Sequence, residues 1–271
     1  MYEWNFEPGL IANLALIAGG YALCVTGPLR RFFPGNEPPT PVQVRLFYVG
    51  WVVLFVALAS PIDSLAGYLL TMHMLQHLLL AMVAPPFLLL GLPRWVLRPL
   101  MRIPGAHPVG AFLTNPIFVF FAFNAVFALW HVPAYYDLAL RDERVHILEH
   151  VMFFTVGVLS WWPICSPMDE LPSAHPLMQT AYLFFMSLPT TIIGALIAFA
   201  EAPLYPFYAL RPRLWGISLA DDQQLAGLIM WVPGSLIYFA VLTVVFIRWL
   251  NRDEDDDRRL LAGVGNESGV R

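Results

Sequence analysis

The sequence predicts an all-α integral membrane protein: a bundle of seven transmembrane helices, N-terminus outside and C-terminus in the cytoplasm. Three observations predict it. Of 271 residues, 58% are hydrophobic and only 13% charged, with a mean hydropathy of +0.64; a water-soluble chain carries about a quarter charged residues. The apolar residues fall in blocks about as long as a bilayer is thick. The basic residues, all arginine, concentrate in alternate loops.

The blocks run over 9–27, 43–60, 68–92, 111–132, 146–163, 176–200 and 224–249. Each is long enough to cross at about 1.5 Å per residue. They must be helices, because an open strand would leave backbone groups unsatisfied in lipid. The N-terminal MYEWNFEP has no basic residue, so the first block is expected to stay as a span rather than act as a cleaved signal. Pro85 and Pro86 fall inside the third block and predict a kink there. The blocks together form a membrane domain over 1–250. The charged, then glycine-bearing stretch 251–271 reads as a disordered cytoplasmic tail.

Orientation follows from arginine. Arg30, Arg31, Arg45, Arg94, Arg98, Arg102, Arg248, Arg252, Arg258, Arg259 and Arg271 fall on one side, which the rule makes the cytoplasm. Arg141, Arg144, Arg211 and Arg213 fall on the other. The 164–175 loop fits poorly, since it should be cytoplasmic yet has Asp169, Glu170 and no arginine. Cys24 and Cys165 lie in or beside apolar blocks, with no C-x-x-C spacing and no disulfide signal. They read as small packing residues.

The polar residues inside the apolar blocks carry the chemistry. "TMHMLQHLLL" (71–80) places His73 and His77 one turn apart, and "HILEH" (146–150) does the same with His146 and His150. His131 ends the fourth block. With this topology these five of the seven histidines share one depth near the outer face. Residues i and i+4 differ by about 40° in direction and about 6 Å in height, so two such imidazoles can reach one ion. Imidazole suits copper, zinc and iron, and ionisable groups inside a membrane mark function. Asp63, Gln76, Asp137, Glu149, Asp222 and Gln223 are candidates to orient the imidazoles or to add ligands. Met72, Met74 and Met152 are thioethers nearby, though membrane helices use methionine for packing as well.

Four ordered stretches resemble one family: "HMLQHLLLAMVAPPFLLLG" (73–91), "LWHVPAYYDLAL" (129–140), "HILEHVMFFTVGVLSWWPI" (146–164) and "DQQLAGLIMWVPGSLIY" (222–238). They are similar to the seven-span CtaG family of assembly factors for haem–copper cytochrome c oxidases. The resemblance implies a multi-pass protein of the bacterial plasma membrane, with a cytochrome c oxidase subunit and the lipid bilayer as partners and no nucleic acid. Joined to the histidine constellation, it leads to the expectation of a copper-handling factor and not an enzyme. His73, His77, His131, His146 and His150 would hold the copper.

Three other readings compete. A membrane-embedded zinc hydrolase would use the same cluster, with Asp63, Asp222 or Glu149 as ligand or base beside a zinc-bound water. "HILEH" matches one zinc-protease spacing, H-x-x-E-H, but its counterpart carries Gln76 in place of the glutamate. A haem carrier is less well served by two histidines one turn apart, because axial ligands come from opposite sides of the ring. A metal permease would need polar residues at several depths, and the second and sixth blocks are almost wholly apolar.

Overall fold

The computed structural model describes residues 2–33 and 37–268, with side chains through Arg252. Every regular element among them is helical. The long apolar helices are α1 (Pro8–Val25), α2 (Pro41–Ala59), a composite third, a bent fourth, α9 (Glu143–Cys165), α10 (Pro176–Ala198) and α12 (Leu219–Ser268). Short helices fill the connections: α3 (Pro61–Ala66), α8 (Pro133–Arg141) and α11 (Pro206–Ala209). Among the described residues, six helices are long and apolar enough to cross a membrane, or seven if the bent pair counts as one span. Beyond Arg252 the tail expected to be disordered lies outside the described side chains.

The third span is α4 (Leu70–Leu78), a π-helical turn at Leu79–Val83, and α5 (Ala84–Gly91). The expected break at Pro85-Pro86 takes this form for a covalent reason. Proline has no N–H and its ring crowds the carbonyl four residues back, and a widened turn upstream makes room. The fourth span differs more from expectation. It is split into α6 (Ala106–Leu113) and α7 (Pro116–His131), bent by 63°. Asn115 caps α7, accepting from the amides of Ile117 and Phe118, and Pro116 takes the first helical position. Both are start signals for a new helix.

The third span is central: 61% of its apolar window is buried, against 17% for α1. One core joins it to α1 and α2 through Tyr21, Phe47, Leu54 and Leu88. A second joins it to α7, α9, α10 and α12 through Met74, Phe123, Phe153, Leu183 and Met230. Glycine lets α10 and α12 nearly touch. A Cβ on Gly227 would lie 2.5 Å from both Gly194 O and Ala198 N, the small-residue contact typical of membrane helices.

Loop contacts fix which ends share a face. Arg94 pairs with Asp169 at 2.7 Å, and Arg98 with Asp169 at 3.3 Å and Glu170 at 3.1 Å. The acidic 164–175 loop, anomalous by arginine count, thus lies against the arginine-bearing loop after the third span. At the opposite face Asn5 donates to Asp63 at 2.9 Å, so the N-terminus sits beside the ends of the helices that carry the histidines.

Candidate metal centre

α4 begins without a capping side chain of its own. Asp222, in the first turn of α12, supplies one from across the bundle. Its carboxylate accepts from Leu70 N at 2.9 Å, from Thr71 N at 3.0 Å and from the Thr71 hydroxyl at 2.7 Å. A carboxylate there also complements the helix dipole. α4 is thereby pinned just where it presents His73, Gln76 and His77. On the facing helix, Asp142 caps α9 through Arg144 N at 2.9 Å, and α9 then presents His146, Glu149 and His150.

The two histidine pairs meet. His73 Nε2 and His77 Nε2 are 2.9 Å apart. Glu149 reaches both, with Oε2 3.7 Å from His73 Nε2 and Oε1 3.7 Å from His77 Nε2. The His146 ring centroid lies 5.3 Å from that of His73, and the His150 centroid 5.5 Å from that of His77. Two sets of ligand atoms, each mutually within 4.8 Å, result: His73, His146 and His150, and His73, His77 and Glu149. His73, Gln76 and Glu149 are fully buried, and His146 and His150 half-buried.

The proton on His73 can be placed by accounting for hydrogens. Tyr208 O–H donates to Ala66 O at 2.9 Å, and a carbonyl can only accept. Burial pushes the Tyr208 phenol well above its ordinary value, so it keeps its proton. Its oxygen must then accept from His73 Nδ1, 3.2 Å away, and from the Tyr136 hydroxyl at 3.3 Å. His73 Nδ1 therefore carries the hydrogen, and Nε2 turns a lone pair toward His77 and Glu149. With Nδ1 occupied, Nε2 is the one atom His73 can offer to either ligand set.

Polar atoms around it lack partners. His77 Nδ1, His146 Nε2, His150 Nε2 and both Glu149 oxygens are buried without a hydrogen bond. More than about 90% of buried polar groups in native proteins are bonded, and an unpaired buried carboxylate is costly. This cluster of imidazole and carboxylate orphans fits a cation of the copper or zinc type.

The other expected residues have separate places. His131 donates from Nδ1 to Phe127 O at 2.6 Å, leaving Nε2 bare. It belongs to neither ligand set, but shares a cavity of about 30 Å³ with His77, Met74 and Met82. Gln76 bonds Ala57 O at 2.9 Å and Asp63 at 2.8 Å, tying α4 to α2 and to α3. Asp137 pairs with Arg141 and accepts from Phe207 N, both at 3.4 Å. Gln223 holds the 200–204 loop through Leu204 N, Ala200 O and Ala202 O, rather than any imidazole. Of the methionines, Met74 lines the cavity beside His77.

Sequence reasoning missed Tyr136 and Tyr208, both buried. "PAYYD" and "YPFYA" look like interfacial tyrosines. Their signal is that a buried tyrosine needs a partner for its hydroxyl; here Tyr136 donates to Tyr208, and Tyr208 accepts from His73.

A family model described as cytochrome c oxidase caa3 assembly factor matches residues 19–252. An uncharacterised protein of Mycobacterium leprae is 27% identical over 269 residues, which cover 92% of this chain and 40% of the relative. An uncharacterised protein of Mycobacterium bovis is 26% identical over 267 residues, with the same coverage. The chain thus spans 40% of the length of these curated relatives. No solved structure matches it.

Proposed function

The chain belongs to the cytochrome c oxidase caa3 assembly factor family, and from that premise we propose that it carries copper to a haem–copper oxidase. In this reading the copper ion is cargo. It sits among His73, His77, His146, His150 and Glu149, and passes by ligand exchange to an oxidase subunit docked alongside. No bond-making catalysis is required. The protein lies in the bacterial plasma membrane, with the cluster near the outer face and the C-terminus in the cytoplasm. The arginine bias of the loops supports that orientation.

The observation that carries the reading is that His73 is common to both ligand sets and, with Nδ1 engaged by Tyr208, has one free lone pair. Its one lone pair cannot serve two ions, so the two ligand sets are alternative seats for one ion. His146 and His150 are half-buried, while His77 and Glu149 are buried. An ion can therefore exchange between the His146–His150 seat and the His77–Glu149 seat without leaving His73. That suits transient custody better than permanent structural binding.

The test is metal content. The full chain is purified in detergent and its bound metals are measured by mass spectrometry, beside His77→Ala/His150→Ala. Copper near one per chain in the wild type, lost in the variant along with oxidase maturation, is the expected result. Zinc lost in the same way would overturn the copper assignment. Normal copper in the variant, or none in either protein after loading, would remove the cluster from copper handling.

A further inference from the structure

At the end of the bundle away from the histidines, a cavity of about 760 Å³ opens between α5, α9, α10 and α12. Its volume is in the range of ligand sites, about 300–1,000 Å³. Phe87, Leu90, Ile164, Ile237 and Val241 make an apolar wall. The Gln179 amide already donates to Pro163 O at 3.0 Å and to Ala174 O at 2.9 Å. One end differs: Arg248, Trp249 and Arg252 gather there on the last turns of α12 that cross the bilayer.

Charge points to the occupant. Arg248 and Arg252 are one helical turn apart and so project to the same side. Arg94 and Arg98, on the same face of the bundle, are taken up by Asp169 and Glu170. Among the described residues no carboxylate pairs with Arg248 or Arg252. A guanidinium fork matches a phosphate, tryptophan belongs at the headgroup level, and basic pockets between membrane helices take anionic headgroups. An apolar cleft that ends in two arginines and a tryptophan at the bilayer edge has the polarity profile of a lipid.

We propose that this cavity binds one anionic phospholipid of the surrounding bilayer, an acyl chain in the cleft and the phosphate between Arg248 and Arg252. The site is independent of the metal cluster. Anchoring a lipid there would brace the third span and α9, whose far ends carry the histidines.

Native mass spectrometry of the full chain in mild detergent, incubated with phosphatidylglycerol or with phosphatidylcholine, tests this. The wild type is expected to retain one phosphatidylglycerol in preference to phosphatidylcholine. Arg248→Gln/Arg252→Gln should weaken phosphatidylglycerol binding about 30-fold and leave phosphatidylcholine unchanged. Ala240→Trp fills the cleft from an exposed position and should also displace phosphatidylglycerol, with both arginines intact. Monodisperse elution of each variant establishes that it is folded. Equal retention of the two lipids by the wild type would overturn the proposal, as would unchanged phosphatidylglycerol binding in either variant.

Discussion

Asp222→Ala tests whether the metal cluster is positioned from across the bundle. The wild-type carboxylate holds the amides of Leu70 and Thr71, the first two residues of α4. Leu70 and Asp222 are buried, so water cannot readily replace the lost acceptor. An unsatisfied buried donor costs about 1–3 kcal/mol, which applies in full to Leu70 N and less to Thr71 N, because Thr71 is half-buried. Loss of the charge at the helix N-terminus adds about 0.3–1 kcal/mol. A total of about 3 kcal/mol makes local opening of the first turn of α4 more frequent by about 100-fold. The assay is amide hydrogen exchange over residues 70–77, with circular dichroism to establish that the remaining helices persist. His73 and His77 ride on that segment, so metal affinity should fall by about 10–100-fold. Asp222→Asn keeps one acceptor oxygen and should fall between. If residues 70–77 in the alanine variant exchange as slowly as in the wild type, the capping argument is refuted.

Two other predictions follow from the same structure. Tyr208→Phe keeps the ring but strands His73 Nδ1, the Tyr136 hydroxyl and Ala66 O; competition with a chelator should show metal affinity about 10–100-fold lower, and unchanged affinity would show that the hydroxyl does not orient His73. Gly227→Val drives a side chain into the backbone of α10 and should lower stability by about 1–3 kcal/mol or more in thermal unfolding. Gly19→Ala, where the added Cβ meets nothing within 4 Å, is its control and should be neutral or stabilising, by up to about 1 kcal/mol.

The parts legible in the sequence are those set by local rules. Apolar blocks gave the spans because hydrocarbon admits only helices. The break before Pro116 was also written locally, in an N-cap asparagine followed by proline, yet the apolar block reads straight through both. His73–His77 and His146–His150 are visible as one-turn spacings at a shared depth. What the sequence hid is tertiary. Asp222 caps a helix 152 residues away in the chain, and Tyr208 orients a histidine 135 residues away. No periodicity reports either. Glu149 was weighed as an orienting group or an added ligand, and only the rotation of α9 turns it in between His73 and His77.

That rotation has a physical cause in one close contact. A Cβ on Gly157 would lie 2.8 Å from both Cα and O of Ala81, in the π-helical turn of the third span. No larger residue fits there, so α9 and the third span approach almost backbone to backbone. Gly157 lies seven residues after His150, two turns along α9, so the histidine and the glycine share a face. Ala81 lies four residues after His77, again nearly one face. The contact therefore sets both the separation and the rotation of the two helices, and with them the meeting of the two histidine pairs. The π turn adds a second freedom. By widening one turn below His77, it lets α4 pack on α12 while α5 turns to α2, where a Cβ on Gly50 would lie 2.9 Å from Leu88 N. Glycine and proline at these positions make the histidine cluster a property of the whole bundle, which is why paired spacings alone could place the imidazoles in depth and not in direction.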